Sequence, residues 1–146
     1  MITIRQLLNL KGNDLWTISP NATVYQGLEL LAKHNIGALP VVENDQLVGM
    51  FSERDYARKV ILKQKSSHNT LIKDLMTSKV YFLKPERTLD DCMNLFTDKH
   101  IRHLPVIDHG QLVGMITIGD VVKFLIKDQQ NQIRDLEGYI AGSYIG

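Results

Sequence analysis

An internal repeat constrains this chain more than any other feature. Shifted by 65 residues, the stretch from Pro20 to Val60 falls on Pro85 to Leu125 without a gap, and thirteen of its 41 positions are identical. The identities include Leu39/Leu104, Pro40/Pro105, Val41/Val106, the unbroken run Gln46 to Met50 on Gln111 to Met115, and Asp55/Asp120. A repeat of this kind means that one supersecondary unit occurs twice, which fixes the architecture before any single residue is read. Upstream, Ile4 to Leu8 resembles Ile72 to Met76 at an offset of 68, so the first copy carries three additional residues around Lys11, Gly12 and Asn13, expected in a loop. The expected division is residues 1–65 for the first unit, 66–127 for the second and 128–146 for a C-terminal helix and tail.

Both copies read alike by local chemistry. Thr23 with Gln26 has the pattern of a capping box, and Thr88 with Asp91 is a close variant, so a helix starts at each. Val24, Leu28, Leu31 and Ala32, and their counterparts Leu89, Met93, Phe96 and Thr97, keep helical spacing as far as Asn35 and His100. Pro40 and Pro105 forbid continuation. Leu39 to Val42 and Gln46 to Phe51, around a turn at Glu43 to Asp45, read as two short strands in a hairpin; the second copy has Asp108 to Gly110 in the turn. Ser52 and Thr117 then cap a further helix, predicted over Glu53 to about Lys63 and over Ile118 to about Lys127. Each unit is therefore β-α-β-β-α, an α+β class.

Composition excludes several functions. With 146 residues, 44% apolar and 23% charged, the chain can bury one good core, and its net charge of +1 gives no strong reason to expect nucleic acid or an anionic membrane as partner. No apolar run approaches the roughly 20 residues that cross a bilayer, and no charged leader precedes an apolar stretch, so a cytoplasmic, reducing location is expected. Cys92, the single cysteine, faces Gly27 on the repeat at an apolar helix position and reads as a buried, inert thiol. His100, His103 and His109 mix a helix end, a strand and a turn, and no cysteine joins them, so no metal site is expected.

The whole pattern is more specific than its parts: a Ser-Pro or Lys-Pro lead-in, a capped helix, Ile-x-x-Leu-Pro-Val, a turn, Leu-Val-Gly-Met and Ser/Thr-x-x-Asp. It resembles the CBS domain, named after cystathionine β-synthase, and two copies in tandem look like a stand-alone bacterial-type CBS pair. The resemblance covers nearly the whole chain. It implies two units related by a pseudo-two-fold axis, packed sheet to sheet in one compact module, with clefts that bind adenosyl nucleotides such as AMP, ADP, ATP, S-adenosylmethionine or NAD. It also implies pairing of chains into a flat disc. Ser52 to Lys59 and Leu136 to Gly142 look like one bacterial-type subgroup, for which AMP and NAD(H) are the first ligands to test.

An adenosyl ligand needs acceptors for its ribose diol, positive potential for phosphate and an apolar slot for the base. Asp55 and Asp120, one turn into a helix, can each accept two hydrogen bonds from vicinal hydroxyls. Ser52 and Thr117 stand at helix starts, where unpaired N–H groups favour an anion. Ser/Thr-x-x-Asp is also an ordinary helix cap; its recurrence at one offset, after one hairpin, favours the site. By resemblance, Ile36, Ala38, Ile101 and His103 wall the adenine, while main-chain groups near Ile18 and Leu83 read its edge. Leu39, Val41, Leu104 and Val106 are assigned to the core instead. Arg102 and His103 stand where family members often reach phosphate, and Arg54 and Arg58 flank Asp55. Because Arg54 aligns with Gly119, the Asp55 cleft is expected to favour the more highly charged ligands.

Beyond Lys127, Ile126, Ile133, Leu136 and Ile140 form a stripe on an otherwise polar segment, which reads as a dimer element. Met93, Phe96, Val121, Phe124 and Leu125 are expected on helix faces buried in the same homodimer. The function these features point to is a small-molecule sensor whose ligand state is read by an effector protein that the sequence does not identify. An enzyme using Asp55 or Asp120 as base lacks an activated nucleophile, paired carboxylates or a Walker-type loop, so no catalytic residue or catalytic cofactor is assigned. A nucleic-acid binder is weakened by the charge balance and by the lack of an aromatic-rich strand.

Overall fold

The computed structural model describes residues 1–12 and 14–140, and the side chains among them except those of Tyr139 and Ile140. Each copy of the repeat forms one antiparallel hairpin: β1 (Ala38–Glu43) with β2 (Gln46–Ser52), and β3 (His103–Asp108) with β4 (Gln111–Thr117). Glu43 pairs with Gln46 and Asp108 with Gln111, which leaves two-residue turns. Such turns need positive φ at both positions. Asn44 and Asp45 (φ 52° and 62°) and His109 and Gly110 (φ 51° and 77°) supply it. The register slips at the same place in both hairpins, between Val41 and Val42 and between Val106 and Ile107.

The first strand of each expected unit shrinks to a single parallel bridge, Ile18 beside Val41 and Leu83 beside Val106. Ile18 donates its N–H to Pro40 O at 3.1 Å and accepts from Val42 N at 2.9 Å; Leu83 donates to Pro105 O at 3.0 Å and accepts from Ile107 N at 2.9 Å.

Two helices start at the predicted caps Thr23 and Thr88, and a further helix, not predicted, starts at Thr3. Thr3, Thr23 and Thr88 each form a full capping box ahead of α1 (Ile4–Lys11), α2 (Val24–His34) and α4 (Leu89–Lys99), and α2 and α4 end on the left-handed residues Asn35 and His100. The third helix departs from expectation. Beyond Ser52, α3 covers only Glu53–Tyr56 and widens into a π-turn over Ala57–Ile61 rather than continuing to Lys63. Val60, within that wide turn, is fully buried in the first core. Its counterpart α5 (Ile118–Ile140) runs without a break through Lys127, so the helix predicted there and the expected C-terminal helix are one element. No proline interrupts the segment, and Gln132 Nε2 donates to Asp128 Oδ2 at 3.1 Å along its surface. Among the described residues no helix is long and apolar enough to cross a membrane.

The two cores do not follow the chain order of the repeats. Ile4 and Leu7 of α1 lie in the core formed by Leu83, Leu89, Cys92, Leu104, Val106 and Ile116, whereas Ile72 and Leu75 join Ile18, Val24, Leu31, Leu39, Val41 and Phe51. Each copy lends its lead-in segment to the other. The main-chain bonds match pair by pair: Ile4 N to Arg87 O (2.8 Å) with Ile72 N to Ala22 O (2.9 Å), and Leu89 N to Ile2 O (3.0 Å) with Val24 N to Thr70 O (2.8 Å). That correspondence is the pseudo-two-fold relation. Gly49 and Gly114 allow the lead-ins to lie against the hairpins, since a β-carbon at either would stand 2.6 Å from Met76 Sδ or from Leu8 Cδ2.

The lead-ins differ in form. Residues 72–74 make one 3-10 turn, after which Thr77 exchanges two main-chain bonds of 2.9 Å with Met50, whereas Ile4 to Lys11 is a full helix. Lys11, expected in a loop, is therefore the last residue of α1, Gly12 caps it at φ 101°, and Asn13 lies outside the described residues.

Two residues expected on a dimer face are corrected. Phe96 and Val121 belong to the second core, and Phe124 packs against it, leaving Met93 and Leu125 partly exposed. Farther along α5, Ile126, Ile133 and Leu136 are exposed at 51, 56 and 60%. The side chain of Ile140 and residues 141–146, with Gly142 of the subgroup segment, lie outside what is described.

Candidate functional site

Each hairpin delivers its second strand into a helix cap, and that junction positions the candidate aspartates. Ser52 Oγ accepts from Asp55 N at 3.2 Å, while Asp55 Oδ2 accepts from Ser52 N and Ser52 Oγ, both at 3.1 Å. In the second copy Thr117 Oγ1 accepts from Asp120 N at 3.1 Å and Asp120 Oδ2 accepts from Thr117 N at 2.9 Å. Ser/Thr-x-x-Asp thus works as a reciprocal cap in both halves, and the cap fixes each carboxylate beside its strand end. The caps are tied to the neighbouring strand start in matching ways, Glu53 N to Gly37 O and Ile118 N to Arg102 O, both 3.1 Å. Ile36 to Ala38 is thereby held next to Asp55, and Ile101 to His103 next to Asp120.

The halves approach each other at these strand starts. A β-carbon on Gly37 would stand 3.4 Å from His103 Nε2. Burial pushes the His103 imidazole below its ordinary range, and the positive charges of Arg102 and Lys11 push the same way against the pull of Asp120. Neutral at pH 7, His103 can donate from one ring nitrogen and accept at the other.

The other expected contacts divide. The Ile18, Leu83 and Ala38 side chains are buried, and the N–H groups of Ile18 and Leu83 are taken by the bridges, so an adenine edge there would meet the main chain of the flanking residues. Ile36 and Ile101 are half-buried, while Arg54, Arg58 and Arg102 are exposed and make no ion pair among the described residues. An open groove of about 610 Å³ runs between Thr17 to Ser19 and the α2 face carrying Gln26, Glu29, Leu30 and Lys33; of the candidates it includes only Ile18.

Two lysines were not foreseen. Lys59 Nζ stands 3.3 Å from Asp55 Oδ1 and donates to Leu75 O at 2.9 Å. Lys11 Nζ stands 2.8 Å from Asp120 Oδ2 and donates to Met115 O. Lys59 was legible, since Asp and Lys four apart on a helix pair routinely. Lys11 carried no local signal, because it reaches Asp120 only through the exchange of lead-ins. Its presence changes the charge balance behind the expectation that the Asp55 cleft takes the more charged ligand. Cys92 is fully buried, and burial pushes its thiol up to about 12.

Two exchanged β-α-β-β-α halves, each ending its hairpin on a Ser/Thr-x-x-Asp cap, define a tandem pair built on one repeated α+β unit. The chain belongs to the CBS domain family, which matches residues 1–62 and 72–127. It is 38% identical to the mitochondrial CBS domain-containing protein CBSX3 of Arabidopsis thaliana over 97% of this chain and 73% of that one. A solved protein with CBS domains from Burkholderia ambifaria superposes with a TM-score of 0.83 at 44% identity, covering 88% of this chain and 96% of that one. The CBS pair of protein MJ0100, solved in complex with 5-methylthioadenosine and S-adenosyl-L-methionine, superposes with a TM-score of 0.76 at 25% identity, covering 85% of this chain and 99% of that one.

Proposed function

We propose that this CBS pair is a regulatory module that binds an adenosyl nucleotide, AMP, ATP or NAD(H), at the clefts of Asp55 and Asp120, and that it signals occupancy to a partner protein without chemistry of its own. The observation that carries this reading is the duplicated junction: a capped carboxylate tied by one 3.1 Å main-chain bond to the strand start beside it, in both halves. Such a carboxylate is rigid before ligand arrives, so little ordering cost accompanies diol binding. The ligands solved with MJ0100 share the adenosyl group. Ile36, Ile101 and His103 are the groups that contact the base, and Arg102, with Arg54 and Arg58 on the other side, meets the phosphate. The active unit is a homodimer that uses the exposed stripe of α5, and its effector is a separate protein.

Melting scans with AMP, ATP, NAD, S-adenosylmethionine, GTP and CTP test it. At 100 times Kd a ligand adds roughly 2.7 kcal/mol, which moves the midpoint by several degrees. Adenosyl ligands should shift the transition and GTP and CTP should not. Equal shifts from all six, or from none, would refute the reading, and release of product from AMP, ATP or NAD would replace it with an enzyme.

A further inference from the structure

Resting on the adenosyl reading above, we propose that Lys11 makes the Asp120 cleft select a phosphorylated adenosyl ligand over an uncharged one with the same base and sugar. An ammonium group has three donors. Lys11 Nζ directs two of them at Asp120 Oδ2 and Met115 O, which leaves one for an incoming acceptor. Asp120 is arranged to receive a sugar without losing that lysine: Thr117 N and Lys11 both bond Oδ2, and Oδ1 takes no hydrogen bond from the described residues. A ribose hydroxyl can therefore donate to Oδ1 while the ammonium stays in place.

Asp55 presents the opposite arrangement. Both Ser52 bonds fall on Oδ2, and Lys59 stands on Oδ1, so a sugar there competes with the lysine. The two cations also differ in screening, with the Lys11 side chain 26% exposed and that of Lys59 45%. A less exposed charge acts more strongly on a phosphate. Lys11 falls in the three-residue excess of the first copy, and Lys79, the residue 68 positions on, is exposed and makes no ion pair among the described residues. A cation in the Asp120 cleft thus comes from outside the repeated motif, and only in one half.

The test is calorimetry with AMP and adenosine on the native chain, Lys11→Gln and Lys11→Arg, each also with Asp55→Ala to silence the other cleft. The native Asp120 cleft should prefer AMP. Lys11→Gln should weaken AMP roughly ten-fold, the scale of one partly exposed charge-assisted bond, and leave adenosine unchanged within error. Lys11→Arg should keep the preference. Equal loss of both ligands in Lys11→Gln would reduce the lysine to a structural role, and no loss of AMP would remove the proposal. Native protein that binds adenosine and AMP equally leaves the adenosyl reading standing and ends the role of Lys11; native protein that binds neither ends both.

Discussion

The ring edge of Phe51 occupies the space a side chain on Gly27 would need: a β-carbon there would lie 2.7 Å from Phe51 Cε2 and 3.0 Å from Ile72 Cδ1. At the same two places in the other half stand Cys92 and Ile116, both fully buried. A large residue on the strand goes with none on the helix, and a smaller strand residue with a thiol. Gly27→Cys should therefore destabilise the protein by about 1–3 kcal/mol through overpacking. Combined with Phe51→Ile it should cost less than the sum of the single changes, a coupling that urea unfolding of the four species measures.

The caps should be separable from the site. Thr88→Ala removes the acceptor for Asp91 N at the start of α4, a cap that holds neither Asp55 nor Asp120, and should cost about 1 kcal/mol with ligand binding unchanged. Thr117→Ala should cost a similar amount and weaken ligand as well, since it loosens Asp120. Unfolding curves with and without AMP distinguish the two.

Acid should weaken the fold through His103. Burial, Arg102 and Lys11 hold its folded pKa below the ordinary 6.5, with Asp120 opposing, so the unfolded chain binds the proton more readily. The stability involved is fully present above about 6.5 and is lost as pH falls through the folded value. His103→Gln should flatten the stability profile between about pH 7.5 and 5, above the range in which ordinary carboxylates titrate. An unchanged slope in urea unfolding across that window would show that the imidazole is not the group responsible.

Pairing of chains should depend on the exposed end of α5. Ile133→Asp with Leu136→Asp alters two side chains that make no core contact in the protomer, so monomer stability should change by less than about 0.5 kcal/mol. Sedimentation should show the native chain as a dimer and the double variant as a monomer. Identical masses for both would exclude this stripe as the interface.

What was legible in the sequence is what short-range chemistry controls. The capping pairs at Thr23 and Thr88, the helix ends at Asn35 and His100, the place of each hairpin turn and the Ser/Thr-x-x-Asp cap all follow from residues within four positions of one another. The departures lie where distant segments decide. The π-turn at Ala57–Ile61 accompanies a buried Val60, and Phe96 and Val121 turn inward on a core that includes Ile4 and Leu7 from the other end of the chain. Lys11 reaches Asp120 by the same route. The C-terminal helix was legible from the stripe of Ile126, Ile133 and Leu136; its continuity with the helix that starts at Ile118 was not, and no proline breaks the join.

Because Ile4 completes a core built mainly by residues 83–121, and Ile72 one built mainly by residues 18–60, neither half of the chain contains a finished interior. A protein cut in the turn near Ser66 would yield two fragments that each carry a plug for the other and a hole of their own. They should fold on mixing and remain clasped after cleavage. In the intact chain the same exchange makes the closing contacts long-range, Ile4 to Arg87 and Ile72 to Ala22, so the two halves should form together and slowly rather than one after the other.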